Sequence, residues 1–345
     1  MNKRKNFFGG LWLFIIISFV AVACVDDEPK ERGLVIYSPH PIEFIDPIIA
    51  EFEKETGILV EIVRNGTGEL ISKIQHEQEE ENYIGDVLWG GSIATLMNKK
   101  EVLFEPYQSQ NEAFLRFKNT DGYMTRFSLM PSVIMVNSHL VGPGEIQGYQ
   151  DLLKPEYKGE IAFANPELSA SSYEQLLNQL WAMGDMEPDA GWDYVKALID
   201  QLDGQLQSRS QDVYNGVTEG KYKIGLTFEE PAAKFKDNGA PVELIYPIEG
   251  TIVRPDSVAI IKHSDKVDEA RQFIDFVTSY EIQELIATEL SRRPVRQDVE
   301  ASATLLDFDA MIVINDDLNW SASQKETLVN RFLSLYEETL SSKEQ

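Results

Sequence analysis

Between residues 34 and 92, short apolar runs alternate with stretches of helical periodicity, and that alternation restricts the chain to one fold class. Leu34-Val35-Ile36-Tyr37 reads as a strand, stopped by Ser38-Pro39-His40-Pro41. Phe44, Ile45, Ile48, Ile49 and Phe52 then recur at helical spacing as far as Thr56-Gly57. Residues 59–63 read as a second strand, Asn65-Gly66-Thr67-Gly68 as a turn and 69–81 as a helix; residues 86–89 form a third strand, ended by Gly90-Gly91-Ser92. Two parallel crossovers at this spacing predict an α/β sheet with helices on both faces. Ligands of such sheets bind beyond the carboxyl ends of the strands, where each of these loops lies.

A second set follows. Residues 161–164 read as a strand, 165–172 as a loop and 173–183 as a helix; 224–227 is a further strand, leading into Glu229-Glu230-Pro231. Residues 132–137 are expected to be extended, and 242–246 and 257–261 are strands flanking Glu249-Gly250-Thr251. The last eighty or so residues read as mainly helical, with a polar break at Arg292-Arg293-Pro294. A length of 345 residues suits two domains.

The amino terminus reads as an export signal. Lys3, Arg4 and Lys5 precede a 13-residue apolar run from Leu11 to Ala23, too short to span a bilayer as a helix and right for a signal h-region. The run ends in Ala21-Val22-Ala23-Cys24, and Cys24 is the only cysteine. One cysteine excludes an internal disulfide and a multi-cysteine zinc site. Its position matches the lipobox of bacterial lipoproteins, so residues 1–23 are expected to be a signal peptide, Cys24 the lipid attachment and 24–32 a tether. The formal charge is −26, and losing the signal removes three basic residues and no acids, leaving −29. That surplus argues against nucleic acid, which demands Lys and Arg along a phosphate backbone.

Catalytic chemistry finds no support. His40, His76, His139 and His263 have no metal-ligand spacing, and no nucleophile elbow, P-loop or His-Glu-x-x-His occurs. Anion binding is better served. Gly66-Thr67-Gly68 and Ser169-Ala170-Ser171-Ser172 precede predicted helices, whose free amides attract anions, while Ser38, His40 and Gly90-Gly91-Ser92 follow strands.

These segments resemble the iron/phosphonate/sugar-phosphate branch of the bacterial extracellular solute-binding proteins of ABC importers. The resemblance lies in VIYSPHPIEFIDPIIAEFEKETGI (35–58), NGTGELISKI (65–74), GDVLWGGSIATL (85–96), ANPELSASSY (164–173), EGTIVRPDSVAIIK (249–262), 270–287 and RRPVR (292–296). It implies the two-lobed type II periplasmic-binding fold with a ligand cleft between lobes joined by a two-segment hinge. Lobe 1 would combine 33–137 with 250–345, and lobe 2 would be 138–249, with crossovers near Val136-Asn137 and Tyr246-Glu249. It further implies a monomer without cofactor or resident metal. The protein would be lipid-anchored at the outer face of the cytoplasmic membrane or in the periplasm, and would serve an ABC permease and its ATPase.

Ferric members resembling this chain carry a histidine in the first loop, for which His40 is available, but also a glutamate after the third strand and paired tyrosines in lobe 2, where Trp89-Gly90-Gly91-Ser92 and Thr227-Phe228-Glu229-Glu230 stand here. The Gly-Thr-Gly-Glu and Ser-x-Ser-Ser loops look instead like those of organophosphate binders. On that resemblance Ser38, Thr67, Gly68, Ser171 and Ser172 would donate to phosphate, with Ser169, Gly90, Gly91 and Thr251 beside them. His40, Glu229 and Glu249 would order hydroxyls or an amine, and Trp89 would stack on a sugar face. The alternatives are ferric iron, a polyamine caged by Glu229, Glu230, Glu249 and Trp89, or a ligand-presenting sensor for a membrane kinase or chemoreceptor.

Overall fold

The computed structural model describes residues 32–343. Cys24, the expected signal peptide and most of the expected tether lie outside the described residues. Among the described residues no helix is long and apolar enough to cross a membrane.

The first unit is β1 (Leu34–Ser38), α1 (Ile42–Thr56), β2 (Val60–Arg64), α2 (Thr67–Glu79) and β3 (Val87–Ser92), within two residues of the sequence reading except at the end of β3, which runs on through the glycines. β1 pairs in parallel with both β2 and β3. Strand alternation divides β1 between two cores: Leu34 and Ile36 pack with Phe44, Ile48, Phe52 and Trp89, while Val35 and Tyr37 pack with Leu70, Ile71 and Ile74. Helices therefore cover both faces, as parallel strands require. Gly57 ends α1 in the left-handed region at φ 74°, its N–H donating to Glu53 O at 2.9 Å.

The second unit contains β4 (Thr125–Asn137), β5 (Ile161–Ala162), α3 (Ala170–Met183), α4 (Trp192–Gln201), α5 (Ser210–Thr218), β6 (Ile224–Phe228), α6 (Glu229–Asp237) and β7 (Val242–Ile245). It is followed by β8 (Thr251–Ile261), α7 (Val267–Val277), α8 (Tyr280–Thr288) and the C-terminal α9 (Lys325–Lys343). The hydrogen-bonded path runs β2-β1-β3-β8-β4-β6-β5, with β7 also on β4.

β4 joins the two halves. Its residues from Thr125 to Pro131 pair antiparallel with β8, and those from Ser132 to Val136 pair with β6. The exchange of partner falls at Pro131, which has no N–H to give. Only the second half of β4 and the last part of β8 were legible in the sequence, because Arg126, Ser128, Arg254 and Asp256 interrupt the apolar run.

The fold is thus mixed α/β with two lobes. α9 packs by its first two turns. Leu328, Val329 and Phe332 join the core of Phe163, Leu176, Leu180 and Trp192, and the Phe332 ring meets Phe163 edge-on at 5.8 Å.

Candidate functional site

The carboxyl ends of β1, β2 and β3 face the amino-terminal ends of α3, α5 and α6 across a cavity of about 620 Å³, within the range of small-solute sites. Pro39, His40 and Glu43 line it after β1, Arg64 and Thr67 after β2, and Gly91 and Ser92 at the end of β3. From the other side come Ser171 and Glu174 of α3, Ser210, Tyr214 and Asn215 of α5, and Glu230 and Lys234 of α6; β8 contributes Arg254 and Asp256, and the segment after α8 contributes Arg292.

Hydroxyls gather where α3 and α5 begin. Ser210 Oγ lies 2.7 Å from both Ser169 Oγ and Ser171 Oγ, which are 3.2 Å apart. Ser169 also caps α3, accepting from Ser172 N at 3.2 Å. The N-cap positions of α2, α5 and α6 are Gly66, Arg209 and Phe228, none of which supplies a side-chain cap. First-turn amides of three helices thus remain free of side-chain caps beside one cavity, with the positive ends of their dipoles.

Glycine geometry brings the loops after β1, β2 and β3 close. Gly90 and Gly91 have φ of 117° and 97°, and a Cβ on them would stand 2.8 Å from His40 Nε2 and 2.9 Å from Thr67 Cγ2 respectively. His40 is buried between Phe44, Trp89 and Phe127, with ring centroids 4.9, 5.5 and 6.1 Å away. Burial, assisted by the Arg292 charge, holds its pKa well below the ordinary value, so the imidazole is neutral. Asp256 Oδ2 lies 3.3 Å from His40 Nε2 and 3.2 Å from Arg292 Nη1. Burial lifts the Asp256 carboxyl to about 6; Arg292 opposes that rise and Glu230 adds to it. Arg292 also contacts Glu230, and Arg254 is gripped by Glu174 and Asp316. Burial, with the charges of Glu230 and Asp212, raises the Tyr214 phenol above its ordinary value, which keeps it a neutral donor.

Of the sequence candidates, His40, Thr67, Gly91 and Ser171 line the cavity, with Ser169 and Gly90 immediately behind them. The others do different work. Ser38 donates to Trp89 O at 2.7 Å and accepts from His40 N, locking the loop after β1. Trp89 is fully buried against Phe127 and Phe273, so it offers no face to a sugar. Gly68 is exposed, and Ser172 is buried within α3. Glu229 is paired with Arg293, Glu249 accepts from Tyr149 N and Gln150 N at 3.0 Å, and Thr251 donates to Ser132 O. Glu230, expected only in a cation cage, takes the cavity position instead of Glu229.

Sequence reasoning missed Ser210, Glu174, Arg254, Asp256 and Arg292. Arg254 and Asp256 stand two apart and so share one face of β8, but their charges hid that part of the strand in the sequence. Among the described residues no group of three or more His, Cys, Asp or Glu is placed to hold a metal ion.

Two α/β lobes sharing long strands, with a polar cavity at the strand ends, define a solute-binding protein. The chain belongs to the bacterial extracellular solute-binding protein family, whose profile matches residues 47–309. It is 27% identical over 333 residues to the "Probable ABC transporter periplasmic-binding protein" of Sinorhizobium fredii, covering 93% of this chain and 90% of that one. It is 26% identical over 305 residues to Iron uptake protein A1 of Synechocystis, covering 83% and 82%. The periplasmic binding protein AfuA of Actinobacillus pleuropneumoniae, solved with exogenous fructose-6-phosphate bound, superposes with a TM-score of 0.76 at 24% identity, covering 88% of this chain and 98% of AfuA. That likeness establishes the type II periplasmic-binding fold.

Proposed function

We propose that this protein captures a small phosphate-bearing solute, such as a sugar phosphate or phosphonate, and delivers it to an ABC permease as a carrier rather than a catalyst. The observation that carries this reading is the Ser169–Ser171–Ser210 hydroxyl cluster at the converging starts of α3 and α5. Hydroxyls and uncapped helix amides are the donors that phosphate oxygens take. Arg64 and Lys234 line the same cavity with no ion pair among the described contacts, which supplies positive charge locally. Screening beyond about 8 Å at physiological salt leaves these donors, rather than the acidic surface, to decide binding.

We assign residues 33–137 with the segment 250–317 to lobe 1, and 138–249 with the C-terminal helix to lobe 2. Cys24 is the lipid attachment in this reading. Cys24→Ser should move the protein from the detergent phase to the aqueous phase on partitioning, and unchanged partitioning would remove the anchor.

The ligand reading is tested by thermal unfolding against sugar phosphates, their parent sugars, spermidine and ferric citrate. A ligand at one hundred times its Kd stabilises by about 2.7 kcal/mol, which such a scan detects. Only the phosphate esters should raise Tm. A rise with spermidine or ferric citrate alone would discard the phosphate reading.

A further inference from the structure

The cavity contains two buried arginines, and each already faces two carboxylates. Arg254 Nε donates to Glu174 Oε2 at 2.7 Å, and its Nη1 and Nη2 donate to Asp316 at 2.8 and 2.7 Å. Arg292 pairs with Glu230 and, at 3.2 Å, with Asp256, while its guanidinium covers the Phe44 ring at 4.5 Å. Counted with their partners, both arginine centres carry an excess of negative charge. The cations without carboxylate partners, Arg64 and Lys234, are the exposed ones, and the hydroxyl cluster and uncapped helix starts share their cavity.

The arginine region also carries unsatisfied polar atoms. Asp256 Oδ1 and Arg292 Nε are buried without a hydrogen-bond partner. A hydroxyl both donates and accepts, so it can serve an acidic oxygen and a guanidinium together. An anionic group can only accept, and it would bring a further negative charge against Glu230, Asp256 and Glu174 in a poorly solvated place.

Resting on the phosphate reading above, we propose that the cavity admits solutes with a single anionic group and an otherwise neutral, hydroxylated body, and that Glu230 and Glu174 are the residues that reject a second anion. The substrate class is then a monophosphorylated polyol or sugar, to the exclusion of bisphosphates and phosphorylated sugar acids.

Calorimetric titration of the full chain tests this with two pairs of near-isosteric probes: sorbitol 6-phosphate against 6-phosphogluconate, and glycerol 3-phosphate against 3-phosphoglycerate, with inorganic phosphate as a baseline. The neutral-bodied member of a pair should bind at least 100-fold more tightly than its carboxylate counterpart. Glu230→Gln, checked for an unchanged unfolding profile, should narrow that gap at least tenfold by leaving Arg292 with one charged partner. The wild-type comparison stands alone if the variant does not fold. Equal binding of both members overturns the single-anion rule and leaves the phosphate reading intact. An unchanged gap in a folded Glu230→Gln protein removes Glu230 from the rule. Failure of all five probes to bind overturns the phosphate reading itself.

Discussion

Arg293 and Glu229 meet through a bidentate ion pair: Arg293 Nη2 lies 2.7 Å from Glu229 Oε1 and Nε lies 3.0 Å from Oε2, with 2% of each side chain exposed. Tyr246 OH donates to the same carboxylate at 2.5 Å, and Arg293 Nη2 also donates to Leu306 O at 2.6 Å. The carboxylate thus ties the start of α6 to the segment after α8, and no free edge of it is turned to a ligand.

Removing one partner of that pair leaves a buried charge uncompensated, which costs about 3–5 kcal/mol. Glu229→Ala and Arg293→Ala should each lower the urea midpoint by a corresponding amount, whereas a double replacement by methionine should cost much less. Ligand affinity of whatever Glu229→Gln protein folds should remain within a few-fold of wild type. A hundredfold loss there would return Glu229 to the binding site.

The serine cluster separates binding from stability. Ser171→Ala and Ser210→Ala each delete a donor, and a hydrogen bond to a charged group contributes about 1.5–3 kcal/mol, so phosphate affinity should fall roughly 10- to 100-fold. Ser169→Ala should cost about 1 kcal/mol of stability besides, because its Oγ caps α3. Titration calorimetry paired with denaturant melts distinguishes the two effects.

His40 and Asp256 give opposing pH dependences. The His40 pKa is depressed in the fold, so the unfolded chain takes up its proton first, and His40 destabilises the protein as pH falls below about 6.5. The Asp256 pKa is raised to about 6, so the folded state binds its proton first and gains stability as pH falls from about 6 towards 4. Each proton taken up by one state alone changes stability by about 1.4 kcal/mol per pH unit. Denaturant melts of wild type and Asp256→Asn should therefore diverge in favour of wild type on acidification through that window. Parallel curves would show that Asp256 titrates normally.

The paired glycines after β3 tolerate no side chain. Gly91→Ala places a Cβ 2.9 Å from Thr67 Cγ2 at a φ of 97°, and Gly90→Ala places one 2.8 Å from His40 Nε2 at a φ of 117°. The left-handed side of the map costs a Cβ-bearing residue about 1–2 kcal/mol before any clash. Both variants should melt lower, and folded Gly91→Ala should bind phosphate more weakly because Thr67 must move. Undiminished affinity would place Thr67 outside the ligand contacts.

Local pattern alone determined the strand–helix alternation from Leu34 to Ser92, the loops at the strand ends and the resemblance that led to the family, because side-chain periodicity and Gly or Pro punctuation act over a few residues. His40, Thr67, Gly91 and Ser171 were legible for the same reason: each sits in a loop whose type is written locally. The charged half of the cavity was decided only by tertiary structure. Whether Glu229 or Glu230 faces the cavity depends on the rotation of α6, and Arg293 settles it by drawing Glu229 into the interior. Ser210 joins Ser169 across 41 positions, and Glu174 joins Arg254 across 80. Partnerships of that range are fixed by how the lobes pack on β4 and β8, and no local period records them.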